Sequence, residues 1–171
     1  MIVRSRAPLR LGLAGGGTDV SPFSEQHGGF VMNVTIDKFA YATLDPSPSG
    51  KAEFHALDAD AVQVVDPREV DAAPGPQQLM RGVYRRVCTQ LLGGERPPLR
   101  VRAHSDAPPG SGLGSSSTMV VALVTAFNEY FGLALGEYEI AQLAYEIERK
   151  DLGLAGGKQD QYAAAFGGFN F

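Results

Sequence analysis

Hydrophobic and polar positions change their period several times along the chain, and each change marks an element. Residues 2–13 carry β-forming side chains in an alternation broken at Pro8. That pattern predicts a strand, a kink, and a second short strand ending at Leu13. Ser21–His27 predicts a short helical turn, after which Gly28-Gly29 release a strand over 30–36. Lys38–Leu44 alternates Phe39, Tyr41 and Thr43 against Ala40, Ala42 and Leu44, which predicts the paired strand. Asp45–Gly50 is a turn cluster. Segments 52–57 and 62–65 read as shorter strands of the same sheet, and 66–76, rich in Pro, Asp and Ala, as a surface loop.

The second half turns to helical spacing. In Gln77–Leu92, residues Leu79, Met80, Val83, Tyr84, Val87, Cys88, Leu91 and Leu92 fall on one face. Arg81, Arg85 and Arg86 lie opposite, as a solvated face or one that meets a phosphate. Gly93-Gly94 end that helix. Leu99, Val101 and Ala103 alternate with Arg100, Arg102 and His104, a strand with one wet face. Ser117–Phe131 is apolar nearly all round, which predicts a buried helix. Glu137–Lys150 is amphipathic, with Glu148 at its C-terminal end, where a carboxylate opposes the macrodipole unless something positive sits beside it. Tyr162–Phe166 predicts a helical turn, and Gly167–Phe171 the start of a strand, so the chain is expected to continue past Phe171. Strands crowd the first half and helices the second. The fold class is α+β: a mixed β-sheet with helices packed on one face.

Between the wet-faced strand and the buried helix lies Pro108-Pro109-Gly110-Ser111-Gly112-Leu113-Gly114-Ser115-Ser116-Ser117. Glycines at every second position let successive N–H groups turn inward as an anion-binding nest. The helix that follows adds free N–H donors and its positive dipole end. The serines add hydroxyls for a phosphate oxygen or a metal ion. The reading is a polyphosphate cradle; the alternative is a Gly/Ser linker with Ser115 or Ser116 as an ordinary N-cap. No G-x-x-x-x-G-K-[ST] is present, and Ser115 stands where a dinucleotide fingerprint needs Gly. Ala14-Gly15-Gly16-Gly17-Thr18-Asp19 is a second glycine cluster, either backbone laid against a ligand or another segment, or a flexible hairpin turn.

Composition bounds these readings. The 171 residues suffice for one domain with a real core or half of a two-domain protein, and 20% charged residues are ordinary for a globular chain. A formal net charge of −4 argues against nucleic acid as a partner. The single cysteine, Cys88, excludes an intramolecular disulfide and a Cys-based zinc site. His27, His55 and His104 lack metal-ligand spacing. No signal peptide or membrane span is visible, so a cytoplasmic protein without a membrane partner is expected. The oligomeric state leaves no trace.

Three motifs in order resemble the GHMP small-molecule kinases: Ala7–Asp19, the Pro108–Ser117 loop, and Glu148 followed by Gly156-Gly157-Lys158-Gln159-Asp160-Gln161. Within the family, Gly-Gly-Gly-Thr-Asp and Gly-Gly-Lys-Gln-Asp-Gln-Tyr are most similar to the heptose 7-phosphate kinases. Galactokinases have Gly-Glu-His-Thr-Asp in the first segment. Gly16 and Gly17 replace its bulky pair, leaving room for a larger or phosphorylated sugar. The resemblance implies a ribosomal protein S5 domain 2-like fold for residues 1–171, an N-terminal ATP-binding domain whose C-terminal partner domain is missing from this chain. It implies ATP and Mg²⁺ as cofactors and a sugar phosphate as acceptor. Pro109, Gly110, Ser111, Gly112, Leu113, Gly114, Ser115, Ser116 and Ser117 would hold the phosphates. Ser116 and Glu148 match the magnesium ligands, Asp160 the catalytic aspartate, and Arg10 the basic residue beside it. Gly15, Gly16, Gly17, Thr18 and Asp19 match the sugar segment, with Asp19 binding sugar hydroxyls. Lys158 is added as a residue that could reach the transferred phosphoryl or the sugar's distal phosphate. Rival readings are another sugar 1-kinase, fucose- or galactose-type, and a nucleotide-binding module without turnover.

Overall fold

A computed structural model describes residues 1–71, 77–108 and 110–171. Its elements in order are β1 (Val3–Ala14), α1 (Phe23–His27), β2 (Met32–Pro46), β3 (Ala52–Ala56) and β4 (Ala61–Val65). There follow α2 (Gln78–Gln90), β5 (Leu99–Ser105), α3 (Ser115–Phe131), α4 (Glu137–Glu146), α5 (Gln159–Phe166) and β6 (Phe169–Asn170). The strands form one sheet in the order β1-β2-β5-β3-β4, with β6 added beside the first residues of β2. β3 and β5 are parallel and the other pairs antiparallel, so the sheet is mixed as expected.

Pro8 does not break β1. An edge strand tolerates the missing N–H, and the ladder slips instead: Pro8 pairs with Phe39 but Arg10 with Thr35. The same slip corrects the expected hairpin at 30–44. Residues 36–38 bulge opposite Leu9 rather than turning, so β2 is a single 15-residue strand. No Gly, Pro or Asn stands at 36–38 to make a turn. The phase change in its alternation is the bulge.

The other boundaries move less. The loop expected over 66–76 holds a 3-10 turn at Pro67–Glu69, and its residues 72–76 lie outside the described residues. The helix predicted over Glu137–Lys150 is α4 followed by a wider π turn, Ile147–Asp151, a rare widening that often marks a functional site. The turn predicted over Tyr162–Phe166 is the end of α5, which starts three residues earlier.

Helices lie on one face of the sheet. Ala42, Leu44, Phe54, Val101 and Ala103 meet Tyr84, Val87 and Cys88 of α2 and Val120, Leu123 and Phe127 of α3, all buried. Cys88 is a core residue, and burial pushes its thiol up to about 11, which keeps it unreactive. The arginine face of α2 turns to protein acids: Arg86 pairs with Glu146 at 2.5 Å and Asp151 at 2.8 Å. Arg81 donates to the Val70 carbonyl.

The opposite sheet face is polar. His104 stacks on Tyr41, and His55 lies 3.2 Å from Glu53. Burial works against the charge on Asp45, but hydrogen bonds from Arg100 and Arg102 outweigh it and hold the carboxyl below its ordinary range. Packing on one face leaves α3 fully supported against β1 and β2, which fixes the loop at its N-terminus.

Candidate active site

The phosphate-loop candidate joins β5 to α3. Gly110, Gly112 and Gly114 have φ of 78°, 75° and 77°, a left-handed conformation that strains other residues. Pro109 lies outside the described residues. Helix α3 begins at Ser115 with Gly114 as its N-cap, so neither Ser115 nor Ser116 caps it. No side chain bonds to that cap, so the first N–H groups of a 17-residue helix are left to whatever enters the cleft. Ser111 and Ser115 hydroxyls lie 3.2 Å apart across the loop.

Arg10 ties this loop to the third motif. Its backbone N donates to the Leu113 carbonyl at 3.1 Å and its Nη1 to the Gly112 carbonyl at 2.6 Å. Its Nε donates to Asp160 Oδ1 at 2.7 Å and its Nη2 reaches the same oxygen at 2.6 Å. Asp160 packs on Gly114 so closely that a Cβ there would stand 3.2 Å from its carboxyl carbon. Residues 10, 112–114 and 160 are one cluster, although 150 positions separate its two charges.

The first motif meets the third from the other side. Asp19 Oδ2 accepts from the backbone N–H of Lys158 at 2.6 Å and of Gln159 at 2.8 Å. These are otherwise open donors at the start of α5, so Asp19 caps the helix that carries Asp160. Gly157 is required there, because a Cβ would collide with Asp19. The Gly15–Asp19 turn is pinned by Thr18, whose hydroxyl donates to the Gly15 carbonyl at 2.7 Å and accepts from Phe30 N at 3.1 Å. Gly16 lies beside the Gln159 amide, and a Cβ at Gly17 meets nothing within 4 Å among the described residues. The Lys158 ammonium sits over the Tyr145 ring, 5.3 Å from its centre.

Glu148 is 1% exposed and faces inward from the π turn. Ser116 Oγ donates to its Oε1 at 3.0 Å, and Gln161 Nε2 to its Oε2 at 2.5 Å. Arg149 Nη1 is 3.9 Å from Oε1, so a positive charge does stand beside the carboxylate. Arg149 also donates to the Leu154 and Gly157 carbonyls, bracing the loop before α5. Arg149 and Gln161 received no role from sequence; Gln161 stood inside a quoted motif, but nothing in its spacing announced burial.

A cleft of about 780 Å³ unites Arg10, Gly110, Ser111, Gly112, Gly114, Ser115, Ser116, Ser117, Glu148 and Asp160. The same cleft is also lined by Ala56, Ala59, Ala61, Leu79, Met80 and Ala103, with the polar Asp58, Gln77 and Ser105 beside them. Asp19 and Lys158 line instead an adjoining cavity of about 450 Å³ with Asn33, Tyr138, Tyr162 and Phe166. Among the described residues no group of three or more His, Cys, Asp or Glu could hold a metal ion. Glu148 and Ser116 present two adjacent oxygens at the cleft, which suits a cation that retains water and takes further ligands from phosphate, the habit of Mg²⁺. No described helix is long and apolar enough to cross a membrane.

Residues 78–168 match the family model of the GHMP kinases N terminal domain, more than half of the chain, and the protein belongs to that family. A D-glycero-alpha-D-manno-heptose 7-phosphate kinase from Campylobacter jejuni is 46% identical over 171 residues, 99% of this chain and 50% of the relative. A crystal structure of a D-glycero-D-manno-heptose 1-phosphate kinase from Bacteroides thetaiotaomicron superposes with a TM-score of 0.92 and 52% identity, covering 99% of this chain and 55% of that one. A galactokinase from Thermotoga neapolitana is 27% identical over 165 residues, 96% of this chain and 44% of the relative. The chain therefore spans about half the length of the relatives it matches.

Proposed function

We propose that the protein carrying this domain is an ATP-dependent sugar kinase that phosphorylates the anomeric hydroxyl of D-glycero-D-manno-heptose 7-phosphate. The observation that carries the reading is Asp160 packed against Gly114 and paired with Arg10 at the mouth of the glycine loop. The N–H groups of 110–117 and the α3 dipole would hold the α- and β-phosphates, with the adenine against apolar residues of the same cleft. Ser116 and Glu148 would hold Mg²⁺, which would supply positive charge against the phosphates. The sugar hydroxyl oxygen attacks the γ-phosphorus in line. The bond to the β-phosphate oxygen breaks, and ADP leaves with its electron pair. Asp160 accepts the hydroxyl proton or orients it, and Arg10 keeps the carboxylate aimed. Asp19 would bind acceptor hydroxyls through Oδ1 while Oδ2 caps α5. The adjoining cavity would take the far end of the acceptor, with Lys158 against its phosphate. The name of the relative at 46% identity, a heptose 7-phosphate kinase, supports this acceptor, while the structure at 52% identity, named a heptose 1-phosphate kinase, supports only a heptose as the sugar.

The galactokinase relative makes a galactose-type 1-kinase the second reading. ADP release by the whole protein, measured over a panel of free and phosphorylated sugars, separates the two. Turnover with heptose 7-phosphate alone is expected; preference for a free hexose contradicts the acceptor, and no turnover with any sugar contradicts the kinase reading. A Lys158→Ala variant with an unchanged KM for heptose 7-phosphate removes that lysine from the site.

A further inference from the structure

Gln161 follows Asp160 in sequence, and successive helical residues point about 100° apart, so the two leave α5 in different directions. Asp160 faces Arg10 and the loop. Gln161 is 0% exposed and turns under α3. Its single amide nitrogen donates to Glu148 Oε2 at 2.5 Å and to Ser117 Oγ at 3.1 Å. Its carbonyl oxygen is buried with no hydrogen-bond partner among the described residues. Rotating the amide would set that oxygen against the carboxylate, so only one orientation is favourable. Leaving a buried acceptor unpaired is costly in a core, which makes the donation to Glu148 the purpose the site serves.

We propose that Gln161 is a positioning residue for the metal-holding pair, resting on the kinase reading above. It fixes the second oxygen of Glu148, so the first points to Ser116 and the cleft. It also links that carboxylate to Ser117 in the first turn of α3. Glu148 and the first turn of α3 are thereby held by one side chain on the short helix that carries Asp160 and that Asp19 caps. A residue with only a packing role would hold its volume; this one works through two N–H donors.

Gln161→Met keeps length and bulk and removes both donors. In the whole protein, Mn²⁺ binding in the presence of ADP is followed by electron paramagnetic resonance, beside the Mg²⁺ dependence of turnover. Binding at least tenfold weaker, with a matching rise in half-saturating Mg²⁺ and a sugar KM within twofold of wild type, is expected. Excess Mg²⁺ is expected to restore most of kcat. Unchanged Mn²⁺ affinity in a folded variant overturns the proposal, as does a kcat loss that no Mg²⁺ concentration relieves. Should Gln161→Met not fold, Gln161→Asn carries the same expectation, because its shorter amide cannot reach both partners. Wild-type protein that binds Mn²⁺·ADP but turns over no sugar contradicts the kinase reading alone.

Discussion

Arg10 and Asp160 share an oxygen: two nitrogens of one guanidinium converge on Asp160 Oδ1 at 2.7 and 2.6 Å, while its third nitrogen holds the Gly112 carbonyl at 2.6 Å. The arginine therefore fixes the distance between the carboxylate and the loop. Asp160→Asn is expected to lower kcat by about 10²–10⁴-fold, the range for removing a positioned base. Arg10→Ala is expected to cost about 10²-fold through misplacement of an intact carboxylate. Asp160→Asn keeps ADP binding, measured by calorimetry; loss of nucleotide affinity in that variant contradicts this assignment.

Gly114 and Gly110 separate conformational strain from contact. Both are left-handed, but only a Cβ at 114 meets Asp160, and one at 110 meets nothing within 4 Å among the described residues. Gly110→Ala is expected to cost about 1–2 kcal/mol of stability from the backbone alone. Gly114→Ala pays that and also displaces Asp160, so its kcat falls about 10²-fold further. Equal kcat values for the two variants would show that the carboxylate tolerates movement.

Asp19 has a structural task that its motif did not announce. Asp19→Ala uncaps α5 and is expected to lose about 0.5–2 kcal/mol in denaturant unfolding, with kcat falling as Asp160 loses its support. Asp19→Asn keeps an acceptor and recovers most of the stability. A rise in sugar KM with unchanged stability in Asp19→Ala would leave sugar binding as its sole role.

Glu53, on the far face of the sheet, sets an acid limit on the fold. Hydroxyls of Ser49 and Ser47 hold its carboxyl down at about 2, from an ordinary 4.5. A depressed folded value stabilises above the unfolded one and is lost as pH falls through the folded one, so the window runs from pH 4.5 down to 2. Glu53→Gln is expected to unfold more easily at pH 6, by about 1 kcal/mol once solvent screening is allowed for, with the gap closing towards pH 2. A gap that stays constant with pH contradicts the cause given.

Much of this was legible in the residues, for physical reasons. Helices α2 and α3 declare themselves by period, and the Gly110–Gly114 spacing shows the loop because left-handed backbone needs glycine. The bulge at 36–38 hid the single strand β2, since a phase change looks alike whether the chain turns or slips. The cap from Asp19 to α5 spans 139 positions and follows only from packing. Gln161 and Arg149 look like ordinary polar residues of helical segments until the π turn brings Glu148 inward. The bilobed site was illegible too: Lys158 and Asp160 are two residues apart yet line different cavities.

The most direct measurement is phosphorus NMR of the whole protein incubated with ATP, Mg²⁺ and D-glycero-D-manno-heptose 7-phosphate, run beside its Asp160→Asn variant. ADP and a new phosphate ester on the anomeric carbon are expected from wild type, and neither from the variant at equal times. An ester elsewhere on the sugar, or equal product from Asp160→Asn, would contradict that expectation.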